Sequence, residues 1–415
     1  MPIVRTIIQL CCFLTAFSAC QKQELNYVRL SSWVSSPSET ALFEETLEDF
    51  RQNYPEVPFK YEPIPGNYSE KIQLMLGTYT APDLFYLKGI TAPSYMNFGI
   101  LRDLTPSVEA DTSFDRDDFY PFLIDAFAKE GKLYGIPKDW NPYVLFYNKK
   151  LFQEAGIDTL PTNWEELRQV ARQLTKDLNG DGETDQYGLV LEPSVDMIMP
   201  FVFQNGGHFQ NPDGSLGITD DPFVGALEFY HGLYKEGIAT IPTDVGAGWN
   251  ADAFGREIAA MAISGGWLLP FLKDNYPKVD YGVAFLPKGK VPATVAFTTA
   301  YAMPKTLVKE ADAWTLMSYL TGRQGMKKWT SLGLALPSRT SVVKANGFDE
   351  HPVFKTFVES AAFARPFQVQ YSERGFEEVV VALQAVFFTG KEPRQALEEV
   401  AKRIEKYKII GGSSK

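Results

Sequence analysis

The sequence predicts an α/β protein of two domains, on three observations. Apolar strand patterns alternate with amphipathic helix patterns from residue 27 onward. The 415-residue chain is longer than one hydrophobic core accommodates, which points to two domains of about 150–200 residues each. Its 45% hydrophobic content is enough to fill both cores.

Tyr27–Trp33 reads as the first strand, and Thr40–Tyr54 as a helix with Leu42, Phe43, Leu47 and Phe50 on one stripe. Phe59–Pro63 is the next strand, Tyr68–Gly77 a second helix and Asp83–Leu87 a buried third strand. This β-α-β-α-β order implies a parallel sheet with crossover helices, whose ligands sit at the carboxyl ends of the strands. Tyr143–Tyr147 is a further strand leading into the helix Lys150–Ala155. Thr162-Asn163-Trp164-Glu165 has the form of a capping box with Thr162 at the cap, which makes Trp164 a core residue. The alternation continues with helices near Pro222–Glu236, Asp312–Leu320 and Arg394–Lys406, and strands near Tyr281–Phe285 and Thr298–Met303. Trp314 and Trp329 fall on helical apolar stripes and are expected in the core.

All three cysteines, Cys11, Cys12 and Cys20, lie in the first twenty residues, so the rest of the chain carries no thiol. They sit in an export signal: a positive amine and Arg5, then the apolar run Ile7–Leu14, too short to span a bilayer, then Ser18-Ala19 before Cys20. Phe17-Ser18-Ala19-Cys20 resembles a bacterial lipobox, with Phe17 where Leu is usual. Residues 1–19 are therefore expected to be a signal peptide, and 20–25 a linker with acyl chains on Cys20 that anchor the protein to the membrane on its extracytoplasmic, periplasmic side. The formal charge of −11 and pI near 5.0 argue against nucleic acid or an anion held by general electrostatics and favour a neutral ligand. Aromatic residues make up 14% of the chain, more than packing alone requires.

A series of motifs carries a family resemblance. It comprises Ala81-Pro82-Asp83, Tyr134-Gly135-Ile136-Pro137, the run Tyr147–Gly156, Pro161–Leu167, Gln204-Asn205-Gly206-Gly207, Ala260–Trp267 and Leu336-Pro337-Ser338-Arg339. In order and spacing the chain resembles a bacterial extracellular solute-binding protein of an ABC importer, in the large carbohydrate-binding class that includes maltose- and trehalose-binding proteins. The resemblance implies a two-lobed periplasmic-binding-protein fold, each lobe a mostly parallel sheet flanked by helices, the lobes joined by hinge crossings near residues 138–143, 291–297 and 322–332. Residues 26–140 and 296–325 would form lobe 1, and 141–295 and 326–410 lobe 2. The implied protein is a monomer that closes on its sugar and presents the closed form to permease subunits.

Residue by residue, the resemblance offers Trp33, Glu39, Asp83, Asp139, Trp140, Asn141, Trp249, Trp267, Tyr301 and Arg339 as sugar contacts. Asp83 either accepts from sugar hydroxyls or caps the next turn, and Arg339 either donates to hydroxyls or ties down the Pro337-Ser338 turn. Trp249 and Trp267 lie in glycine-rich loops with no helical stripe to join, which favours stacking on ligand. Pyranose rings pack C–H faces on aromatic planes and need charged or amide partners for their hydroxyls. Trehalose, sucrose, maltose and glucosyl polyols such as glucosylglycerol are all compatible ligands.

Asp177, Asn179, Asp181, Glu183 and Asp185, with Gly182 at position six, have calcium-loop spacing, although Gly188 replaces the usual Glu at position twelve. The alternatives are a structural calcium ion and a bare Asx-rich turn. A surface glycoside hydrolase is the competing class, but no carboxylate pair stands out. The mature chain has no cysteine nucleophile, no GxSxG, no Walker loop, and His208, His231 and His351 lack metal spacing. A solute-binding protein for a non-sugar ligand is the other alternative.

Overall fold

The computed structural model describes residues 26–34, 37–369 and 373–404. The expected signal peptide, Cys20 and the linker lie outside the described residues. The strands are β1 (Val28–Ser31), β2 (Phe59–Tyr61), β3 (Leu84–Lys88), β4 (Ala128–Lys129), β5 (Lys132–Leu133), β6 (Ile136–Pro142), β7 (Val144–Asn148), β8 (Leu189–Val190), β9 (Ala239–Thr240), β10 (Met261–Ser264), β11 (Tyr281–Ala284), β12 (Thr294–Ala302), β13 (Leu336–Pro337) and β14 (Ala364–Pro366).

The first three strands pair in parallel in the order β3-β1-β2, and the apolar run Leu84–Leu87 of β3 is buried throughout, as in a sheet covered on both faces. Beyond β3 the sheet continues through β12, β6 and β13, each antiparallel to its neighbour, with β14 parallel to β12. A second sheet has the order β11-β7-β10-β8-β9, parallel across β10, β8 and β9 and antiparallel at β7 and β11. Both sheets are thus mixed: in the first, β12 returns from the other lobe and runs opposite to β1–β3 and β6, and in the second, β7 enters from lobe 1 and runs opposite to β8–β11.

Two cores result. In lobe 1 the helix Pro37–Asn53 buries Phe43, Leu47 and Phe50 against Leu30 and Phe85, each full burial stabilising by roughly 1.5–3 kcal/mol. The helix Tyr68–Gly77 is capped by Asn67, whose side chain accepts from the Glu70 amide at 3.2 Å, and buries Tyr68, Ile72 and Leu76 at four-residue spacing. In lobe 2 the side chains of β7 alternate: Leu145 enters a core with Phe201, Phe223 and Ile263, while Val144 and Phe146 pack on the opposite face with Phe254 and Phe357. Both faces of that sheet are covered.

The capping box sits one residue later than the motif suggests. Asn163 is the cap of the helix Trp164–Leu174 and accepts from Glu166, whose carboxylate takes the Thr162 amide at 2.7 Å. Trp164 is half-buried, stacked on Phe229 at 4.4 Å and donating to Gln204.

The chain passes from one sheet to the other at Tyr143, between β6 and β7, and again within β12, whose Val295 belongs to the lobe 2 core and whose Ala300 and Tyr301 belong to lobe 1. The last crossing comes later than expected. Helix Arg323–Trp329 packs on lobe 1, with Met326 and Trp329 in that core and Lys328 paired with Asp49 at 2.7 Å. Residues 326–329 therefore leave the predicted lobe 2 segment, because the turn at Gly322 folds this short helix back on Glu310–Thr321. The chain leaves lobe 1 only around Val342 and Val343, which fall in different cores.

Candidate ligand-binding cleft

Beside the crossings lies a cleft of about 350 Å³, walled by β3, β6 and β12 from lobe 1 and the hinge and by Trp267 and Phe367 from lobe 2. Its floor is built by an irregularity in β6. Thr299 of β12 pairs with Asp139 but Ala300 pairs with Pro137, so Lys138 is an extra residue opposite no partner. Such a bulge re-aims a side chain, and here Lys138 and Asp139 both line the cleft although they are adjacent in sequence. Normal alternation resumes after it. Trp140 points to the other side, 1% exposed and edge-on to Phe122 at 5.4 Å, and Asn141 returns to the cleft.

Lys138 and Asp139 form an ion pair with side chains only 3% and 12% exposed. The ammonium lies 4.2 Å from the Trp329 ring and 4.6 Å from the Tyr86 ring. Trp329 Nε1 donates to the Asp139 carboxylate at 3.2 Å. Asn141 donates to the Leu334 carbonyl at 3.2 Å while its Oδ1 is buried without a partner. An orphaned acceptor costs about 1–3 kcal/mol, and this one lies against Gly266, where an added Cβ would come within 2.7 Å of it.

Aromatic side chains close two sides. Trp33, following β1, stands edge-on to Tyr86 at 4.8 Å and Tyr68 at 5.5 Å, with Lys88 5.5 Å from its ring. Trp267 is held edge-on by Tyr143 at 5.8 Å and Phe297 at 5.9 Å. Its indole lies over Gly265, where a Cβ would come within 2.4 Å of the ring. Gly89 permits the other close approach: its amide donates to Thr298 at 2.8 Å and an added Cβ would meet the Thr298 methyl at 2.9 Å.

Of the expected contacts, Trp33, Glu39, Asp139, Asn141 and Trp267 line the cleft. The other five do not. Asp83 precedes β3 at the end away from Lys88, where its carboxylate accepts the Arg29 amide at 2.8 Å and ties β1 to β3. Trp140 faces away because the bulge sets the strand's parity. Trp249 precedes the helix Asn250–Gly255 and packs edge-on against Phe271 at 4.8 Å, so its loop has a local partner after all. Tyr301 is 2% exposed, in the lobe 1 core against Tyr86. Arg339 is 1% exposed and donates to the carbonyls of Thr321, Asp115 and Phe114, so it holds turns together.

Sequence reasoning missed Lys88, Lys138, Thr298, Thr299 and Trp329, all on the cleft wall. It also passed over a polar group beside Trp267 at the carboxyl end of β8. There the Tyr143 hydroxyl donates to Asp196 at 2.9 Å and the Asn250 amide to Glu192 at 2.9 Å. Burial raises the Glu192 carboxyl, the Asn250 amide opposes this, and Asp196 adds to the rise. Ser194 Oγ, Ser264 Oγ and Asn250 Oδ1 are buried there without partners.

In the loop 177–185 the carboxylates serve the backbone. Asp177 accepts from Gly180 and Gly182 at 2.6 and 2.8 Å, and Asp185 from Leu178 and Asn179 at 2.8 and 3.2 Å. Among the described residues no group of three or more His, Cys, Asp or Glu converges as a metal site. The loop as folded is an Asx-rich turn in which Asn179 and Asp181 also accept backbone amides, from Asp181 and Glu183, each at 2.9 Å.

Two α/β lobes with a polar, aromatic cleft at their crossings define a hinged binding protein. Residues 35–327 match the model of the bacterial extracellular solute-binding protein family, and the chain belongs to that family. It is 24% identical to the arabinooligosaccharide-binding protein of Bacillus subtilis over 333 residues, 73% of this chain and 72% of that protein. Its fold is shared with an ABC substrate-binding protein from Listeria monocytogenes solved in complex with cycloalternan, at a TM-score of 0.81 and 23% identity, covering 92% of this chain and 98% of that one. The sugar-binding protein MalE from Xanthomonas citri superposes with a TM-score of 0.78 at 23% identity, covering 92% and 97% of the two chains.

Proposed function

We propose that the protein captures a neutral di- or oligosaccharide, or a glucoside, between its lobes and delivers it to the permease of an ABC importer. The observation that carries this reading is the composition of the cleft wall. Indole rings from both lobes, Trp33 and Trp267, flank a floor where the ionic groups Lys138 and Asp139 already compensate each other. Such a wall offers flat apolar faces and charge-assisted hydrogen bonds without net charge, which suits a pyranose ring. The oligosaccharide ligands named for the relatives point the same way. Asp139, Asn141 and Glu39 would select hydroxyl pattern, and closure of lobe 2 would bring Glu192 and Asp196 toward the same ligand. Acylation of Cys20 would keep the monomer at the membrane face where the permease lies.

The test is titration of tryptophan fluorescence with trehalose, sucrose, maltose and glucosylglycerol, on the wild type and on Trp267→Ala. Losing a central aromatic anchor costs about 2 kcal/mol or more, so the variant should bind roughly thirtyfold more weakly. A wild type that ignores every neutral sugar but responds to a peptide or an anion would refute the reading.

A further inference from the structure

On the lobe 1 side of the cleft the chain lays its own cations over the aromatic rings. The Lys138 ammonium is 4.2 Å from the Trp329 ring and 4.6 Å from the Tyr86 ring, and that of Lys88 is 5.5 Å from the Trp33 ring. Tyr86 and Trp329 also wall, with Phe43, Tyr61 and Glu39, a void of about 10 Å³. That is room for about one water, so no alkylammonium fits between the two rings while Lys138 stays in place.

The fold alone does not call for this lysine. Its side chain is 3% exposed and that of its partner Asp139 is 12% exposed, and replacing a pair so buried by apolar residues of similar shape is often neutral or stabilising. Lys138 is also the extra residue of the β6 bulge, opposite no partner on β12, and the bulge turns it to the wall that carries Asp139. What the ammonium does is fill a place that would otherwise attract its like. Without it, the Asp139 carboxylate and the rings of Tyr86 and Trp329 form an anionic aromatic cage, the arrangement that takes up ammonium and quaternary ammonium groups. The chain's formal charge of −11 would draw such cations to it.

We infer that Lys138 is a specificity-determining residue: its ammonium occupies this cage from within, so the cleft refuses solutes that carry an ammonium, such as amino sugars and alkylamines, and admits neutral hydroxylated ones. The inference rests on the reading of the cleft as a sugar site and names the residue that keeps that site closed to cations.

Lys138→Ala removes the side chain beyond Cβ, and n-propylammonium has the same heavy atoms as the part removed. 1-Propanol matches its size without its charge. Melting curves of the full chain in n-propylammonium chloride are compared with curves at equal sodium chloride, which sets the general effect of salt aside. The wild type is expected to melt alike in both. Lys138→Ala should gain a saturable rise with n-propylammonium, read as ligand linkage, and bind it at least roughly tenfold more tightly than 1-propanol. The rise should vanish in Lys138→Ala/Asp139→Asn, which lacks the anion, and in Lys138→Arg, which keeps a cation on the rings. If Lys138→Ala folds only with n-propylammonium present, circular dichroism reports the same rescue, and a chain left unfolded at molar n-propylammonium overturns the proposal. It is overturned equally by the same rise in the wild type, in Lys138→Arg or in the double variant. A folded Lys138→Ala that does not distinguish n-propylammonium from 1-propanol overturns it too, because a role confined to stability predicts that result. Titration of the wild type with maltose and trehalose is read separately: its failure strikes the sugar reading, and the cation series alone decides on Lys138.

Discussion

Lys138→Met asks whether the cleft floor is held by charge or by shape. The variant keeps the length and apolar stem of the side chain but removes an ammonium whose side chain is 3% exposed. Asp139 is then left with the Trp329 indole as its remaining side-chain donor, at 3.2 Å. Breaking one side of a buried pair costs about 3–5 kcal/mol, because the surviving charge stays desolvated. The indole donor offsets part of that, which places the expectation near 3 kcal/mol. Removing both charges in Lys138→Met/Asp139→Leu leaves nothing uncompensated, so the double variant should recover most of the loss. Urea unfolding of the wild type, both single variants and the double variant gives the coupling energy directly. A loss below about 1 kcal/mol in Lys138→Met, the worth of a surface pair, would refute the argument. So would a double variant less stable than either single one.

Acid should act through Asp118, which is 8% exposed. Burial raises its carboxyl, but donors from Ser341, Thr340 and Arg339 outweigh this and lower it. Its contribution is therefore complete above the unfolded value of about 3.9 and is lost as pH falls through the lowered folded value. Asp118→Asn should flatten the acid limb of the stability curve, and an identical limb would exclude that role. Calcium at Asp177, Asn179, Asp181, Glu183 and Asp185 is a proposal that rests on spacing. If the ion is held there, a chelator should lower the melting temperature without abolishing sugar binding, and an unchanged curve with no metal found by elemental analysis would leave only the turn. Cys20→Ser is expected to release the protein from membranes on fractionation, and a processed variant that still pellets would rule out the lipid anchor.

Local patterns made the elements legible, and long-range register hid much of the site. Tyr68–Gly77 is found from its own residues because capping by Asn67 and the Tyr68, Ile72, Leu76 stripe are both local. The floor of the cleft is different. Whether Lys138, Asp139 or Trp140 faces the ligand depends on a bulge defined against Thr299 and Ala300, some 160 residues away, and strand alternation alone puts Lys138 and Asp139 on opposite faces. The same limit separates Trp249 from Trp267. Both follow glycines, but one meets Phe271 and the other lies over Gly265 with its face to the cleft, and only tertiary packing decides between them. Asp83 and Lys88 show a signal that could have been used. Ligands sit at the carboxyl ends of parallel strands, and Asp83 stands at the amino end of β3 while Lys88 stands at its carboxyl end. Strand polarity, read from the β-α-β order itself, favours Lys88. Trp329 satisfies both readings at once: its helical stripe places it in the lobe 1 core, and its ring and Nε1 still reach Lys138 and Asp139. A residue shared by core and cleft couples the two, so substitutions at Trp329 should weaken folding and ligand binding together, unlike Trp267, whose loop lies outside the helices and strands.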